Sequence, residues 1–462
     1  MHRYTDETDR LARAIFDYAL MRVRLDPPPL DGPRPEPELA AAAGPTVTPD
    51  GIGGLEALRV FADVLAPATV SVDNPRNLAF VPAAPTEASV LFDLVVGSGS
   101  MYGGSWLEAS GAVHAENEAL RWLADLAGLP PEAGGCFVSG GTLGNLGALV
   151  AARHTAAAER EERPARWSIA CTQDAHSSVN AVARVMDVEV LAVPADDEGR
   201  LIGSALDTAM RGLEREARDG LFAVVATAGT TNAGRVDDLA GVADVCAEYG
   251  LWMHVDGAYG GAALAAPSVR DHFDGIERSD SFIVDPHKWL FAPFDCCALL
   301  YREPELGRIA HSQKAEYLDA ISSRREWDPS DYAVHLSRRA RGLPFWFSLA
   351  THGTDAYREA VETTLRVSQD AARLIDAHPD FELVMEPELS VVLFRRKGWS
   401  ATDYNRWSQR ALGAQVCFTP PTTWRGETVM RFCLVNPRTT PDDVAFIIDS
   451  MASFAGAGSG SR

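Results

Sequence analysis

A lysine flanked by two large ring side chains, His287-Lys288-Trp289, follows an apolar run ending at Asp285-Pro286. A primary amine at the rim of a buried strand is suited to covalent work. Desolvation disfavours the ammonium, lowers its pKa and frees a nucleophilic lone pair. Thirty-two residues upstream, the run Trp252–Val255 ends in Asp256, followed by Gly257-Ala258-Tyr259. A carboxylate at the end of a buried strand needs a cation, or burial neutralises it. A protonated pyridine nitrogen is one such cation, and capping the next helix is the plainer use. Val138-Ser139-Gly140-Gly141-Thr142 reads as strand, glycine turn and helix start. There, backbone N–H groups and the helix dipole can receive a phosphate. His176, in Asp174-Ala175-His176, offers an imidazole that can stack on a flat ring, and Ala228-Gly229-Thr230-Thr231 ends a further strand.

Each element is common alone, so the case rests on what places them together. Short apolar runs mark strands at 136–139, 167–172, 189–194, 222–228, 252–256, 282–285 and 297–301. Helical stretches fall near 143–160, 177–186, 204–218 and 238–249. Alternation of continuous apolar strands with helices indicates an α/β sheet covered on both faces. All five elements then sit at strand C-termini, the edge where open α/β sheets bind ligands. Outside this region, residues 5–25 predict an amphipathic helix with Leu11, Ile15, Phe16 and Leu20 on one stripe. Residues 26–50, studded with proline, predict a stiff extended connector. Residues 354–377 predict a long helix, 382–394 a strand-like run, 441–454 a terminal helix and 456–462 a loose end.

With 46% hydrophobic and 23% charged residues, the 462-residue chain has the composition of a globular protein with a sizeable core. The net charge of −22 repels phosphate backbones and anionic lipids, so neither nucleic acid nor membrane is an expected partner. The seven cysteines are scattered and form no C-x-x-C, which argues for reduced thiols in a cytoplasmic protein and against zinc or any other metal. No apolar leader opens the chain and no run approaches 18 apolar residues. Neither G-x-G-x-x-G nor G-x-x-x-x-G-K-[ST] occurs, which withdraws the usual support for nicotinamide and ATP chemistry.

Over residues 70–455 these segments together resemble the group II decarboxylases dependent on pyridoxal 5′-phosphate (PLP), the relatives of aromatic-L-amino-acid decarboxylase. The resemblance implies an α/β protein of fold type I. A large, mainly parallel seven-stranded sheet domain would span 71–345, a smaller α+β domain 346–462, and an N-terminal helical arm with its connector 1–70. It implies a homodimer, PLP as cofactor and an amino acid, with an aromatic one favoured, as substrate. Lys288 would hold PLP as a Schiff base. Asp256 would keep the pyridine nitrogen protonated, His176 would stack on the ring and Ala258 would pack on its other face. Gly140, Gly141 and Thr142 match the phosphate turn, Thr231 a threonine near cofactor and substrate, and His287 the histidine beside the lysine. Arg431 matches an arginine associated with the substrate carboxylate, while Phe80, Pro82, Tyr102 and Trp106 fall at substrate-pocket positions.

One departure concerns the product. Relatives carry a loop tyrosine that protonates the carbon left after carbon dioxide departs; residues 318–331, LDAISSRREWDPSD, have none. Trp327 is the only aromatic there, and Tyr332 stands where relatives have a structural tryptophan. Loss of that tyrosine in some relatives is linked to oxidative decarboxylation–deamination to an aldehyde. The expected reaction is amine formation, with the aldehyde route or another reaction at Cα as the alternative. His287, or water admitted by the loop, is the expected replacement proton donor.

Overall fold

The computed structural model describes residues 2–313 and 327–455. The first part of the loop without a tyrosine and the C-terminal residues 456–462 therefore lie outside the described residues. Seven strands form the main sheet: β1 (Gly134–Val138), β2 (Ser168–Thr172), β3 (Glu189–Val193), β4 (Leu221–Thr227), β5 (Trp252–Asp256), β6 (Ser281–Val284) and β7 (Cys297–Tyr301). Their order is β1-β7-β6-β5-β4-β2-β3. β3, β2, β4, β5 and β6 pair in parallel, and β7 runs antiparallel to both β6 and β1. Residues of β1, β4, β5, β6 and β7 are all buried. That is why they read as unbroken apolar runs, since helices cover both faces and leave no solvated side to alternate with. Two hydrophobic clusters fill the two faces, one around Val224, Met253 and Phe282, the other around Ile169, Val225 and Ile283.

A second, antiparallel sheet comprises β8 (Phe381–Leu383), β9 (Val391–Arg396), β10 (Thr422–Trp424) and β11 (Glu427–Cys433), in the order β10-β11-β9-β8. The helices Thr354–Ala377, Ala401–Gly413 and Pro441–Ala452 pack on it. Leu78, far earlier in the chain, joins the same cluster and bonds through its backbone to Phe418 and Cys433.

Three expectations change. The helix expected over 204–218 is two, Gly203–Gly212 and Arg215–Gly220, because Gly212 ends the first and Leu213 is extended. The run 382–394 is two strands, since Pro387 cannot donate to a ladder and lies in the loop between them. The proline-rich connector holds a short helix, Glu36–Ala43, with Pro37 in its first turn where its missing N–H costs nothing. The N-terminal helix, Asp6–Val23, is capped by Thr5 and returns to its own chain, with Tyr18 edge-on to Phe61 and Arg22 forked onto Asp73 at 2.7 and 3.0 Å. Ile15, Phe16, Leu20 and Met21 of that helix remain exposed.

Candidate active site

The C-terminal ends of β1, β4, β5 and β6 open into one cavity of about 620 Å³. Gly140, Gly141, Thr142, His176, Thr231, Asp256, Ala258, His287 and Lys288 all line it, so segments spread over nearly 150 residues meet at one place. The turn after β1 leads into the helix Gly141–Glu159, whose N-terminus has no side-chain cap. Its free N–H groups therefore face the cavity rim as an anion site. The backbone is packed closely there: a methyl group added at Gly141 would sit 3.2 Å from Ala258 Cβ and 3.3 Å from Asp285 Oδ2. At the end of β4, Gly229 adopts φ +102°, and a side chain there would strike the backbone of Gly260.

Asp256 closes β5 and is 5% exposed. Its Oδ1 accepts from the Ala258 N–H (3.1 Å) and its Oδ2 from Asn145 Nδ2 (2.9 Å). Both donors are neutral, so neither brings a positive charge to the carboxylate. His176 caps the helix Ser177–Met186, with Nδ1 2.8 Å from Ser178 Oγ and 3.2 Å from its N–H. The ring is thereby oriented yet left exposed on the cavity side.

Lys288 corrects the expectation of a depressed pKa. Burial does pull its ammonium down, but Asp285 Oδ2 lies 2.9 Å from Nζ and Asp256 adds a second negative field, so the net shift is upward. Burial alone would raise the Asp285 carboxyl, yet Lys288 and His287 hold it below its usual range. The pair is therefore an ammonium–carboxylate, and the amine must yield a proton before it can attack. Burial likewise lowers the pKa of His287, whose Nδ1 lies 2.7 Å from the carbonyl oxygen of Cys296. That shift disfavours the protonated ring and so works against the expected role of His287 as proton donor.

The substrate-pocket candidates do not line this cavity. Tyr102 faces a separate groove with Met101 and Arg339, its hydroxyl donating to Leu336 O at 3.0 Å. Trp106 opens a helix and is held through its N–H by Asp328 (2.7 Å). Phe80 is exposed, edge-on to Phe418, and Pro82 is buried. Arg431 is 6% exposed, and its Nε and Nη2 have no hydrogen-bond partner. Trp327 stacks on Tyr332 (centroids 4.3 Å apart) and donates to Gly135 O, which pins the chain where it re-enters the described structure.

Residues without an expected role also stand here. Asp285, Tyr259, Ser178 and Phe294 line the cavity, and Asn145 and His254 lie behind Asp256. One signal was available: His254 and Asp256 are two apart on a strand, hence on one face.

A lysine, a charged carboxylate, an oriented imidazole and an uncapped helix N-terminus match the parts of a phosphorylated pyridine aldehyde. The comparisons agree. The Pyridoxal-dependent decarboxylase conserved domain matches residues 55–397. An aromatic-L-amino-acid decarboxylase from Bacillus atrophaeus is 29% identical over 396 residues, covering 83% of this chain and 82% of that protein. A histidine decarboxylase from Rattus norvegicus is 29% identical over 408 residues, covering 83% of this chain and 62% of that protein. The crystal structure of Oryza sativa TDC with PLP and tryptamine shares the fold, with a TM-score of 0.87 at 24% identity over 98% of this chain and 99% of that one. The chain belongs to the pyridoxal-dependent decarboxylase family, and it is a PLP-dependent amino-acid decarboxylase.

Proposed function

We propose that this enzyme converts an L-amino acid, with an aromatic one favoured, to its amine and carbon dioxide, with Lys288 as the covalent anchor of PLP. The observation that carries the reading is the meeting of Lys288, Asp256, His176 and the Gly140–Thr142 turn on one cavity. When bound, PLP supplies an electron sink for the pair left on Cα as carbon dioxide departs. The chain's own residues do the rest. Gly140, Gly141 and Thr142 would hold the phosphate at the helix N-terminus, and Asp256 would keep a proton on the ring nitrogen. His176 and Ala258 would hold the ring between them, with Thr231 near it. The buried guanidinium of Arg431, whose Nε and Nη2 are left without a partner, calls for an anion; the substrate carboxylate fits that need. Orientation then selects the bond, because the departing carboxylate must stand perpendicular to the ring plane. Exposed Phe294, whose ring lies 4.7 Å from that of His287, gives the cavity an aromatic wall.

The sequence between 318 and 331 keeps a second reading open, since no tyrosine is there to protonate the carbon and burial disfavours the protonated form of His287. Incubation in air with each of the twenty amino acids tests both. Amine formed one-for-one with carbon dioxide, best from an aromatic substrate, is the expected result. Aldehyde, ammonia and peroxide in that ratio would replace the decarboxylase reading with the oxidative one.

We further propose a cytoplasmic homodimer and the three-part division 1–70, 71–345 and 346–462. All seven cysteines are free and buried, in keeping with a reducing compartment, and no helix among the described residues is long and apolar enough to cross a membrane. The exposed stripe of Ile15, Phe16, Leu20 and Met21, with Leu91, Leu94 and Val95 exposed on another helix, is apolar surface that a second copy can cover. Deletion of residues 1–50 is expected to shift the protein from dimer to monomer in sedimentation and to lower its melting temperature. A truncated protein as dimeric and as heat-resistant as the full chain would remove the arm from the interface.

A further inference from the structure

Behind the cavity, five buried side chains form one hydrogen-bond chain whose direction is fixed from both ends. At one end Trp252 Nε1–H can only donate, and it does so to Ser281 Oγ at 2.8 Å. At the other end the Asp256 carboxylate can only accept, and its Oδ2 lies 2.9 Å from Asn145. The Asn145 amide therefore turns its nitrogen toward Asp256 and Ser178 Oγ (3.0 Å), which leaves its oxygen facing His254 Nε2 at 2.8 Å. An amide oxygen cannot donate, so His254 carries its proton on Nε2. Burial keeps that imidazole neutral, pushing its pKa down to about 4 despite the charge of Asp256. Its Nδ1 is then an acceptor, and the Ser281 hydroxyl, already accepting from Trp252, donates to it at 2.9 Å. Every link runs from donor to acceptor, from Trp252 to Asp256.

We infer that Asn145 and His254 are positioning residues that aim the Asp256 carboxylate into the cavity and keep it ionised as the partner of the cofactor's ring nitrogen. The inference rests on the role given to Asp256 above. The residue types fit the task. A cation at position 145 would neutralise the carboxylate, and an apolar side chain would leave Oδ2 unpaired. A neutral amide orients the oxygen and leaves its charge for the ring. The amide would be free to flip without His254, and flipping would set oxygen against oxygen. Because Trp252 and His254 lie on β5 and Ser281 on β6, the orientation of Asp256 is tied to the pairing of those strands. Bonds in such a series polarise one another.

The test uses holoenzyme loaded with PLP labelled with ¹⁵N in the ring. In His254→Leu and in Asn145→Leu, the pH at which the ring nitrogen loses its proton is expected to fall by about one unit or more, a tenfold loss of proton affinity. Turnover is expected to fall about 10- to 100-fold, the range seen when supporting residues of a site are removed. His254→Gln, whose amide N–H can again donate to Asn145, is expected to restore both. With a cofactor analogue carrying C–H in place of the ring nitrogen, wild type and His254→Leu should turn over alike, since Asp256 then has no ring proton to hold. An unmoved ring-nitrogen titration in a folded variant overturns the inference, as does an equal loss of turnover with the analogue. If His254→Leu does not fold, Asn145→Leu and Ser281→Ala carry the titration. Borohydride fixation of PLP on Lys288 in each variant separates this outcome from failure of the parent reading, in which wild type itself would lack PLP at Lys288.

Discussion

Lys288→Ala is expected to abolish covalent retention of PLP and to lower turnover by about three orders of magnitude or more, the scale lost when a nucleophile that acts with its partners is removed. The variant should still fold, because Lys288 contributes no side chain to either hydrophobic cluster. It does leave Asp285 buried without its ammonium partner, so some loss of stability accompanies the loss of activity. The chain has three lysines, Lys288, Lys314 and Lys397, which makes the assignment easy to check. Lys397 donates from an exposed position to Pro379 O, outside the cavity. After borohydride reduction of wild type, PLP is expected on the Lys288 peptide alone. Recovery of the label on Lys314 or Lys397 would refute the assignment. Since Asp285 holds Lys288 as the ammonium, covalent capture of PLP by apoprotein should accelerate with pH, by about tenfold per unit below the lysine pKa. A capture rate independent of pH between neutrality and pH 9 would mean that the amine is already free.

How much of this could be read from the chain depends on how local each determinant is. The strands of the main sheet were legible because full burial on both faces leaves an unbroken apolar run, and five of the seven are buried throughout. The site's location was legible for a related reason: reactive residues follow those runs directly. What depended on side-chain placement was not. The upward shift at Lys288 comes from Asp285, three residues before it, and its sign follows from a rotamer that brings Oδ2 to 2.9 Å of Nζ. Asn145 meets residues 109 and 111 positions away, a pairing that neither period nor propensity encodes. Tyr102 and Trp106 were placed by resemblance at a substrate pocket, but within one chain neither lines the cavity: Tyr102 faces a separate groove, its hydroxyl on Leu336 O, and the Trp106 N–H is held by Asp328.

Asp256→Asn should be the most informative single change, because it alters charge and hydrogen-bond direction while conserving size. The carboxylate accepts on both oxygens, from Ala258 N–H and from Asn145 Nδ2. An amide has one oxygen, so in either rotamer its N–H₂ must confront one of those two donors. The loss of one buried acceptor costs about 1–3 kcal/mol, which a domain of this size can absorb and still fold. The larger effect falls on the ring nitrogen, which loses its anionic partner in a buried site. Removing one member of a buried charge pair costs about 3–5 kcal/mol. At 1.36 kcal/mol per tenfold, that is a fall of about 10²- to 10⁴-fold in turnover. PLP should still be fixed to Lys288 by borohydride, since the glycine turn and the lysine are untouched. The change should be far smaller with the analogue that lacks a ring nitrogen, because charge at position 256 then has no proton to hold. A folded Asp256→Asn protein with near-normal turnover on PLP would show that the reaction does not draw on a protonated ring, and the role of Asp256 would reduce to holding the turn at Ala258.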